Sequence, residues 1–120
     1  MAWKHYPQRK AGNKYRNEKA AVDGIVFDSK KEARRYKELR LMEASGEITG
    51  LRLQPEYELI PRYKKDGHTI RRTIYRADFE YRTRDGREII EDVKGFKTDF
   101  YKLKKRLFEY LYPEKKIVEI

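Results

Sequence analysis

The chain has 120 residues, of which 38% are hydrophobic and 42% charged, and its formal net charge is +10. That length suits one compact domain rather than two, and ten Tyr and five Phe argue against disorder over most of the chain. The absence of Cys excludes disulfides and cysteine-based zinc sites. A chain this basic is expected to bind polyanions, with nucleic acid as the first candidate.

A membrane partner and a secretory route are not expected from the sequence. No apolar run approaches the roughly 20 residues that a membrane-spanning helix needs. The N-terminus also lacks the apolar h-region of a secretory signal. We therefore expect a cytoplasmic protein.

Residues 1–20 are the most basic part of the chain. They carry six Lys or Arg against one Glu, which is half of the net charge in a sixth of the length. The segment has no helical or strand period, so we interpret it as a flexible basic arm in front of one domain over residues 21–120. The arm either contacts nucleic acid or only keeps the chain in solution, and the sequence favours neither.

The domain begins with a short extended piece and a helix. Residues 22–27 contain an Asp-Gly pair, which predicts a tight turn. Asp28 and Ser29 offer an N-cap for a helix over residues 30–44, and Gly46 is a natural residue for its C-terminal end.

One face of this helix carries an acid among apolar side chains. At about 100° per residue, Glu32 shares a face with three core candidates, Tyr36, Leu39 and Met42. An acid among core-facing positions is more informative than one on the solvated side. Glu32 is therefore a candidate functional residue.

Three strands are predicted after the helix. Residues 51–60 alternate in part and predict a strand in which Pro55 marks a bulge or an edge. Residues 69–82 predict a long second strand, and its alternation places four side chains on one face: Tyr75, Ala77, Phe79 and Tyr81. A hairpin loop, Arg84-Asp85-Gly86, leads to a third strand over residues 88–94.

A second helix and a terminal strand complete the chain. The helix is predicted over residues 99–112, and one side of it is lined at helical spacing by Phe100, Leu103, Leu107 and Leu111. Pro113 closes this helix, and residues 115–120 predict a short strand. The order helix, three strands, helix, strand predicts an α/β (α+β) fold without internal repeats.

The hairpin between the second and third strands brings charged side chains together. A three-residue loop centred on Asp85, with Gly86 in the left-handed conformation, places Asp78 opposite Asp92 with Cβ atoms roughly 5 Å apart. Asp92 and Lys94 are two residues apart and share a face. A two-residue loop would put Asp78 on the wrong side, so the prediction depends on this register.

Two facing carboxylates and an ammonium group suggest a metal site. The carboxylates repel unless a cation or proton lies between them, and Mg²⁺ takes one or two protein carboxylates together with water and phosphate oxygens. Asp78 and Asp92 meet that requirement, and the Val93 carbonyl could add a ligand. Lys94 could orient or deprotonate the attacking water, or stabilise charge developing on a phosphate. In a chain this rich in charge, however, an acid-x-Lys triplet alone also arises by chance.

These residues resemble the PD-(D/E)XK nuclease superfamily. The resemblance rests on Ala77-Asp78-Phe79 followed by Glu91-Asp92-Val93-Lys94-Gly95. The segment from Phe27 to Ala33, FDSKKEA, is similar to the upstream motif of the resolvase-like branches, in which the first helix supplies a third acid, matched here by Glu32. More narrowly, the chain resembles a family of small phage and prophage proteins, long labelled a domain of unknown function, through KYRN, VDGI, FDSKKEARRY, LQP, ADF and EDVKGFKTD.

The resemblance implies an α-β-β-β-α-β core with a central mixed sheet. It implies a phage-encoded DNA endonuclease that depends on Mg²⁺ or Mn²⁺ and acts in the host cytoplasm, but it does not fix the substrate. Branched DNA such as a Holliday junction is one candidate substrate, because small members of the superfamily often act on it. The catalytic residues of the endonuclease would be Glu32, Asp78, Asp92 and Lys94, and its metal ligands Glu32, Asp78, Asp92 and Val93. Two positions depart from the superfamily pattern: Ala77 replaces a proline, and Asp92 replaces the commoner Glu. Strand alternation favours Asp92 over Glu91, which points to the other face.

Several further residues are candidates for nucleic-acid contact. The basic ones are Lys30, Lys31, Arg76, Lys97, Lys102 and Lys105. Gln54 would line the site, although a hydrogen bond to nearby backbone is the simpler interpretation. Five tyrosines could stack on exposed bases, although for most of them we expect packing in or around the core: Tyr57, Tyr63, Tyr75, Tyr81 and Tyr101. A homodimer would let two sites cut two strands. The competing hypotheses are a non-catalytic nucleic-acid-binding protein and an RNA nuclease on the same fold.

Overall fold

The computed structural model describes residues 18–93 and 97–120. The chain divides into two compact units, Met1–Leu41 and Met42–Ile120, which we call the first and second units. Most of the predicted basic arm lies outside the described residues. Ala20, its last predicted residue, already belongs to the first strand.

A hairpin opens the described part of the first unit. Strands β1 (Ala20–Val22) and β2 (Ile25–Phe27) pair antiparallel. Asp23 and Gly24 join them with φ angles of 55° and 76°. Positive φ at both central positions is the geometry of a two-residue hairpin turn, which Asp-Gly favours. The predicted turn is confirmed.

Helix α1 (Lys30–Ala44) has the predicted bounds. Ser29 caps it, because its Oγ accepts a hydrogen bond from the Glu32 N–H at 3.0 Å. Three of the four residues of the predicted face are buried, Glu32, Tyr36 and Leu39, together with Ala33, whereas Met42 is half-buried. The helix ends at Ala44, and Gly46 follows with a φ of 84°, the left-handed conformation typical of a residue after a helix.

The second unit contains eight strands and one helix within its described residues. In chain order they are β3 (Ile48–Leu53), β4 (Glu56–Ile60), β5 (Tyr63–Lys65), β6 (His68–Ile70), β7 (Thr73–Arg76), β8 (Phe79–Thr83), β9 (Glu88–Asp92), α2 (Asp99–Leu111) and β10 (Lys116–Glu119). A four-stranded sheet has the order β10-β9-β8-β3. Strand β10 runs parallel to β9, and the other pairs are antiparallel, so the sheet is mixed. The predicted α/β class is confirmed.

The two long strands predicted from the sequence are broken. Residues 51–60 divide between β3 and β4, and residues 69–82 divide among β6, β7 and β8. The break lies where Gln54 adopts a φ of 51°, a conformation that interrupts a strand. Hydrogen bonds still cross it, from the Gln54 N–H to the Asp78 carbonyl (2.9 Å) and from the Ala77 N–H to the Pro55 carbonyl (3.1 Å). The ladder therefore continues into a second, two-stranded sheet of β4 and β7.

This break overturns the predicted alternation of the long strand. Tyr75 and Ala77 pack in a core cluster with Ile90 of β9. Phe79 instead pairs with Glu91, and Tyr81 pairs with Ile89. Glu91 and Ile89 flank Ile90 along β9 and therefore face the opposite side of the sheet from Ile90. The four side chains do not share one face, because the bend at Asp78 separates them into two pairs.

Helix α2 buries a different side from the one predicted. Its buried residues are Tyr101 and Phe108, and the Phe108 ring lies 5.0 Å from Tyr57 and 5.2 Å from Tyr75 between centroids. Leu107 packs at the edge of this cluster. The rest of the predicted stripe is exposed: Phe100 65%, Leu103 47% and Leu111 43%. The aromatic cluster on β4 and β7 sets the orientation of the helix, since large rings contribute most to burial. Neither described helix is long and apolar enough to span a membrane.

The hairpin between β8 and β9 has the predicted register. Its pairs run from Phe79 with Glu91 to Arg82 with Glu88. The loop closes through a hydrogen bond from the Thr83 N–H to the Arg87 carbonyl at 2.9 Å. Gly86 has a φ of 92°, so the three-residue loop is confirmed.

Replacing Gly86 tests how much the loop conformation matters. Gly86→Ala should lower the free energy of unfolding by about 1 kcal/mol, because an L side chain resists this positive φ. No atom lies within 4 Å of the added Cβ, so the cost is that of the backbone alone. Gly86→Asn should cost less, because Asn tolerates the left-handed region. Urea unfolding measures both, and equal costs would contradict this explanation.

Candidate functional site

Asp78 and Asp92 come together at one end of the β8–β9 hairpin. Asp78 immediately precedes β8, and Asp92 is the last residue of β9. The Asp78 N–H donates to the Glu91 carbonyl (3.1 Å), and the Asp78 carboxylate accepts from the Val93 N–H (2.6 Å). The carboxylate thus reaches the peptide that joins Asp92 to Val93. Regular pairing stops at Phe79, one residue short of the predicted Asp78–Asp92 pair.

Asp92 is enclosed and held by a tyrosine. It is fully buried, at 0% exposure, and the Tyr75 hydroxyl donates to its Oδ2. Burial, followed by the charge of Asp92, raises the pKa of Tyr75 far above its ordinary value. Tyr75 therefore stays a neutral donor, which offsets part of the cost of burying a carboxylate.

The neighbouring acid, Glu91, has a separate tyrosine. It is 1% exposed, and its Oε2 accepts from the Tyr81 hydroxyl at 2.5 Å. Successive residues of a strand face opposite sides of the sheet. Tyr75 and Tyr81 therefore bind Asp92 and Glu91 from different faces, as the expected alternation of these two acids requires.

Glu80 on β8 shows the same pattern. Its Oε1 accepts from the Tyr57 hydroxyl at 2.5 Å and from Arg52 at 3.0 Å. Burial first, and then the hydrogen bond to Glu80, raise the pKa of Tyr57. Four tyrosines that the sequence offered for base stacking are thus buried, with hydroxyls bound to acids: Tyr57, Tyr75, Tyr81 and Tyr101. Core packing, the role expected for most of these tyrosines, is confirmed for these four.

Glu119 is a site residue that the sequence did not reveal. The parallel pairing of β10 with β9 sets it beside Asp92 in register, and the Ile120 N–H donates to the Asp92 carbonyl at 2.9 Å. The Tyr101 hydroxyl donates to Glu119 at 2.9 Å. The terminal strand was predicted, but nothing in the sequence specified its partner.

Glu119 also holds two of the predicted nucleic-acid-binding lysines. Its oxygens lie 3.1 Å from the Lys97 ammonium and 3.2 Å from the Lys105 ammonium. The hydrogen bonds from Lys97, Tyr101 and Lys105 lower the pKa of Glu119 from 4.5 to about 2. Two ammonium groups and one carboxylate leave a local charge of about +1 near the acid pair.

The other predicted site residues are placed as follows. Val93 is half-buried beside Asp78, and Lys94 lies outside the described residues. Gln54 is exposed and its backbone N–H donates to the Asp78 carbonyl, while the role of its side chain stays a prediction. Glu32 belongs to the first unit and is buried there, so its role in the acid set stays a prediction.

The remaining predicted cations lie on the surface. Arg76 pairs with Glu56 at 2.7 Å, and Lys30 pairs with Glu18 at 3.0 Å. Lys31 and Lys102 have exposed side chains. Over residues 18–93 and 97–120, no three His, Asp or Glu side chains group closely enough to hold a metal ion.

Comparison with known proteins identifies a family without an assigned activity. A family model described as "Protein of unknown function (DUF1064)" matches residues 12–120. No curated protein and no solved structure matches the chain.

Removing the Tyr75 hydroxyl tests the hydrogen bond that holds Asp92. Tyr75→Phe should lower the free energy of unfolding by about 1–3 kcal/mol, because a buried carboxylate loses a donor. The matched control is Tyr63→Phe, since Tyr63 is 48% exposed and should change stability by less than about 0.5 kcal/mol. Equal effects in urea unfolding would count against the interaction.

The ion pairs of Glu119 predict a dependence of stability on pH. Because the folded pKa is lowered from 4.5 to about 2, the stabilisation is present above pH 4.5 and is lost as the pH falls towards 2. The difference in Tm between wild type and Glu119→Gln should therefore shrink through this window. Glu109→Gln, an exposed acid of α2 without an ion pair among the described residues, should show no such trend. A difference that does not change with pH would contradict the assignment.

Proposed function

The chain belongs to the family described as "Protein of unknown function (DUF1064)", and we propose that it is a divalent-metal-dependent nuclease that hydrolyses phosphodiester bonds in DNA. The observation that carries the proposal is the meeting of the Asp78 carboxylate with the Asp92–Val93 peptide at one end of a hairpin. It occurs in a chain whose net charge is +10, which favours a polyanionic substrate.

The arrangement of elements supports this proposal. If the strands of the smaller sheets are set aside, the chain order is α-β-β-β-α-β. The elements of that order are helix α1, strands β3, β8 and β9, helix α2 and strand β10. This is the order that the resemblance to PD-(D/E)XK nucleases implies. Of the acids of the resemblance, Asp78 lies immediately before the second strand of that order and Asp92 is the last residue of the third.

The donor set suits Mg²⁺ or Mn²⁺. Mg²⁺ is usually bound by one or two carboxylates and completes its coordination with water and substrate phosphate. Asp78 and Asp92 would hold it, and the resemblance adds the Val93 carbonyl and Glu32 as candidate ligands. A bound metal would lower the pKa of a water molecule and polarise a phosphoryl oxygen.

The surrounding residues fix the two acids. Tyr75 holds one oxygen of buried Asp92, and the Val93 N–H holds one oxygen of Asp78. Both carboxylates are thereby positioned before the substrate arrives, which avoids reorganisation during reaction. Precise placement of this kind is what a hydrolytic site requires.

Lys94 would supply the positive charge for the reaction. It follows Asp92 by two residues. In the hydrolysis, a water oxygen bonds to phosphorus while the bond to the 3′-oxygen breaks, and that oxygen leaves with a proton. An ammonium group near the phosphate would orient the water or stabilise the charge that develops. The products would carry 5′-phosphate ends.

Substitution of adjacent acids gives a sharp test of this site. Asp92→Asn should reduce cleavage at least about 100-fold, because the charge that would hold the metal is lost. Glu91→Gln is the matched control, since Glu91 is equally buried and also bonded to a tyrosine. It should cut like the wild type. Cleavage of labelled DNA is measured with Mg²⁺ or Mn²⁺, after unfolding curves have shown that both variants fold.

The substrate class is tested with the same protein. Linear, nicked, branched and single-stranded DNA, and matching RNA, are incubated with divalent metal or with EDTA. We expect metal-dependent cutting of DNA, strongest on branched forms. If no substrate is cut but salt-sensitive binding persists, the protein is a non-catalytic nucleic-acid-binding protein. If only RNA is cut, the protein is an RNA nuclease.

A further inference from the structure

We propose that a groove beside Phe100 binds an unpaired nucleotide of a nucleic-acid strand. The groove lies between β7 and the first turns of α2 and encloses about 400 Å³. Its lining includes the buried Tyr75 and Tyr101 together with Arg76, Phe100 and Lys104. We refer to it as the Phe100 groove. Its volume lies at the small end of the roughly 300–1,000 Å³ range of small-molecule sites, which suits one nucleotide.

An exposed aromatic ring is the first observation that favours this ligand. Phe100 is 65% exposed although it begins an apolar stripe on α2. The Lys104 ammonium lies 4.7 Å from its ring centroid. An exposed ring beside a cation is the arrangement that holds single strands, because the ring stacks on a base while the cation attracts the phosphate.

The charges of the groove favour an anion over another protein molecule. Arg76 and Arg72 share one carboxylate, that of Glu56, at 2.7 and 3.5 Å, so this side carries a net positive charge. No acid of the described residues pairs with Lys104. A second copy of the chain would bring the same cations to the contact and a net charge of +10 of its own, which opposes association.

The groove is placed next to the proposed catalytic acids. Tyr75 and Tyr101, which line it, are the residues whose hydroxyls bind Asp92 and Glu119. A nucleotide in the groove would therefore lie one side chain away from the acids. In this respect the inference rests on the proposed function, and it adds a preference for unpaired bases, since a paired base has no face free for stacking.

Binding measured without cleavage tests the groove by itself. The probes are a fluorescein-labelled oligothymidylate and a blunt-ended duplex of the same length, and fluorescence anisotropy in EDTA measures their binding. Phe100→Leu should weaken single-strand binding about 5- to 150-fold and leave duplex binding unchanged. Phe100→Trp should retain binding, because it keeps an aromatic face.

The matched control is Tyr110→Leu, which removes an 81%-exposed aromatic ring from the same helix outside the groove. It should bind both probes as the wild type does. Single-strand binding by Phe100→Leu as tight as that of the wild type, or an equal loss on both probes, would overturn the proposal. So would a wild-type dimer in sedimentation that Phe100→Leu converts to a monomer, because a second copy would then cover the ring.

Parallel cleavage assays separate this inference from the proposed function. If single-strand binding depends on Phe100 but no metal-dependent cutting is found, the binding role of the groove is supported and the nuclease proposal is rejected. If cutting depends on Asp92 but Phe100→Leu does not change single-strand binding, the nuclease proposal is supported and the binding role of the groove is rejected.

Discussion

The hydrogen bond from a tyrosine hydroxyl to a buried carboxylate is the interaction on which the second unit depends. Strands β8 and β9 bury three acids, Glu80, Glu91 and Asp92. A buried charge is costly unless hydrogen bonds replace its hydration. Each acid has its own donor, supplied by Tyr57, Tyr81 and Tyr75 in turn. Three of the ten tyrosines of the chain thus have a structural role as donors to buried acids.

The break at Gln54 and Asp78 determines how these bonds are arranged. A single continuous hairpin would have directed Tyr75 and Tyr81 to the same face of the sheet. The bend instead turns β4 and β7 into a separate sheet and brings Tyr75 to Asp92, while Tyr81 remains with Glu91. The same bend leaves the Asp78 carboxylate to bond the Val93 N–H. The irregularity therefore positions the acid pair on which the proposed chemistry depends.

Basic side chains lie beside Glu119, the neighbour of Asp92 in register, and along the groove next to it. Glu119 pairs with Asp92 in register and forms ion pairs with Lys97 and Lys105. Arg76 and Lys104 line the neighbouring groove. Since α2 orients its aromatic side towards β4 and β7, Phe100 is left exposed beside those cations. Core packing and the proposed binding surface are thus two consequences of one helix orientation.

The sequence alone determined the local features: both helices to within a residue, the Asp23-Gly24 turn, the Gly46 helix end and the register of the β8–β9 hairpin. Caps and tight turns depend on a few adjacent residues, so their signals can be read directly. Only the tertiary structure decided where the long strands break, which side of α2 is buried, and that Glu119 lies beside Asp92. These outcomes depend on contacts between residues distant in the chain, where packing overrides local periodicity.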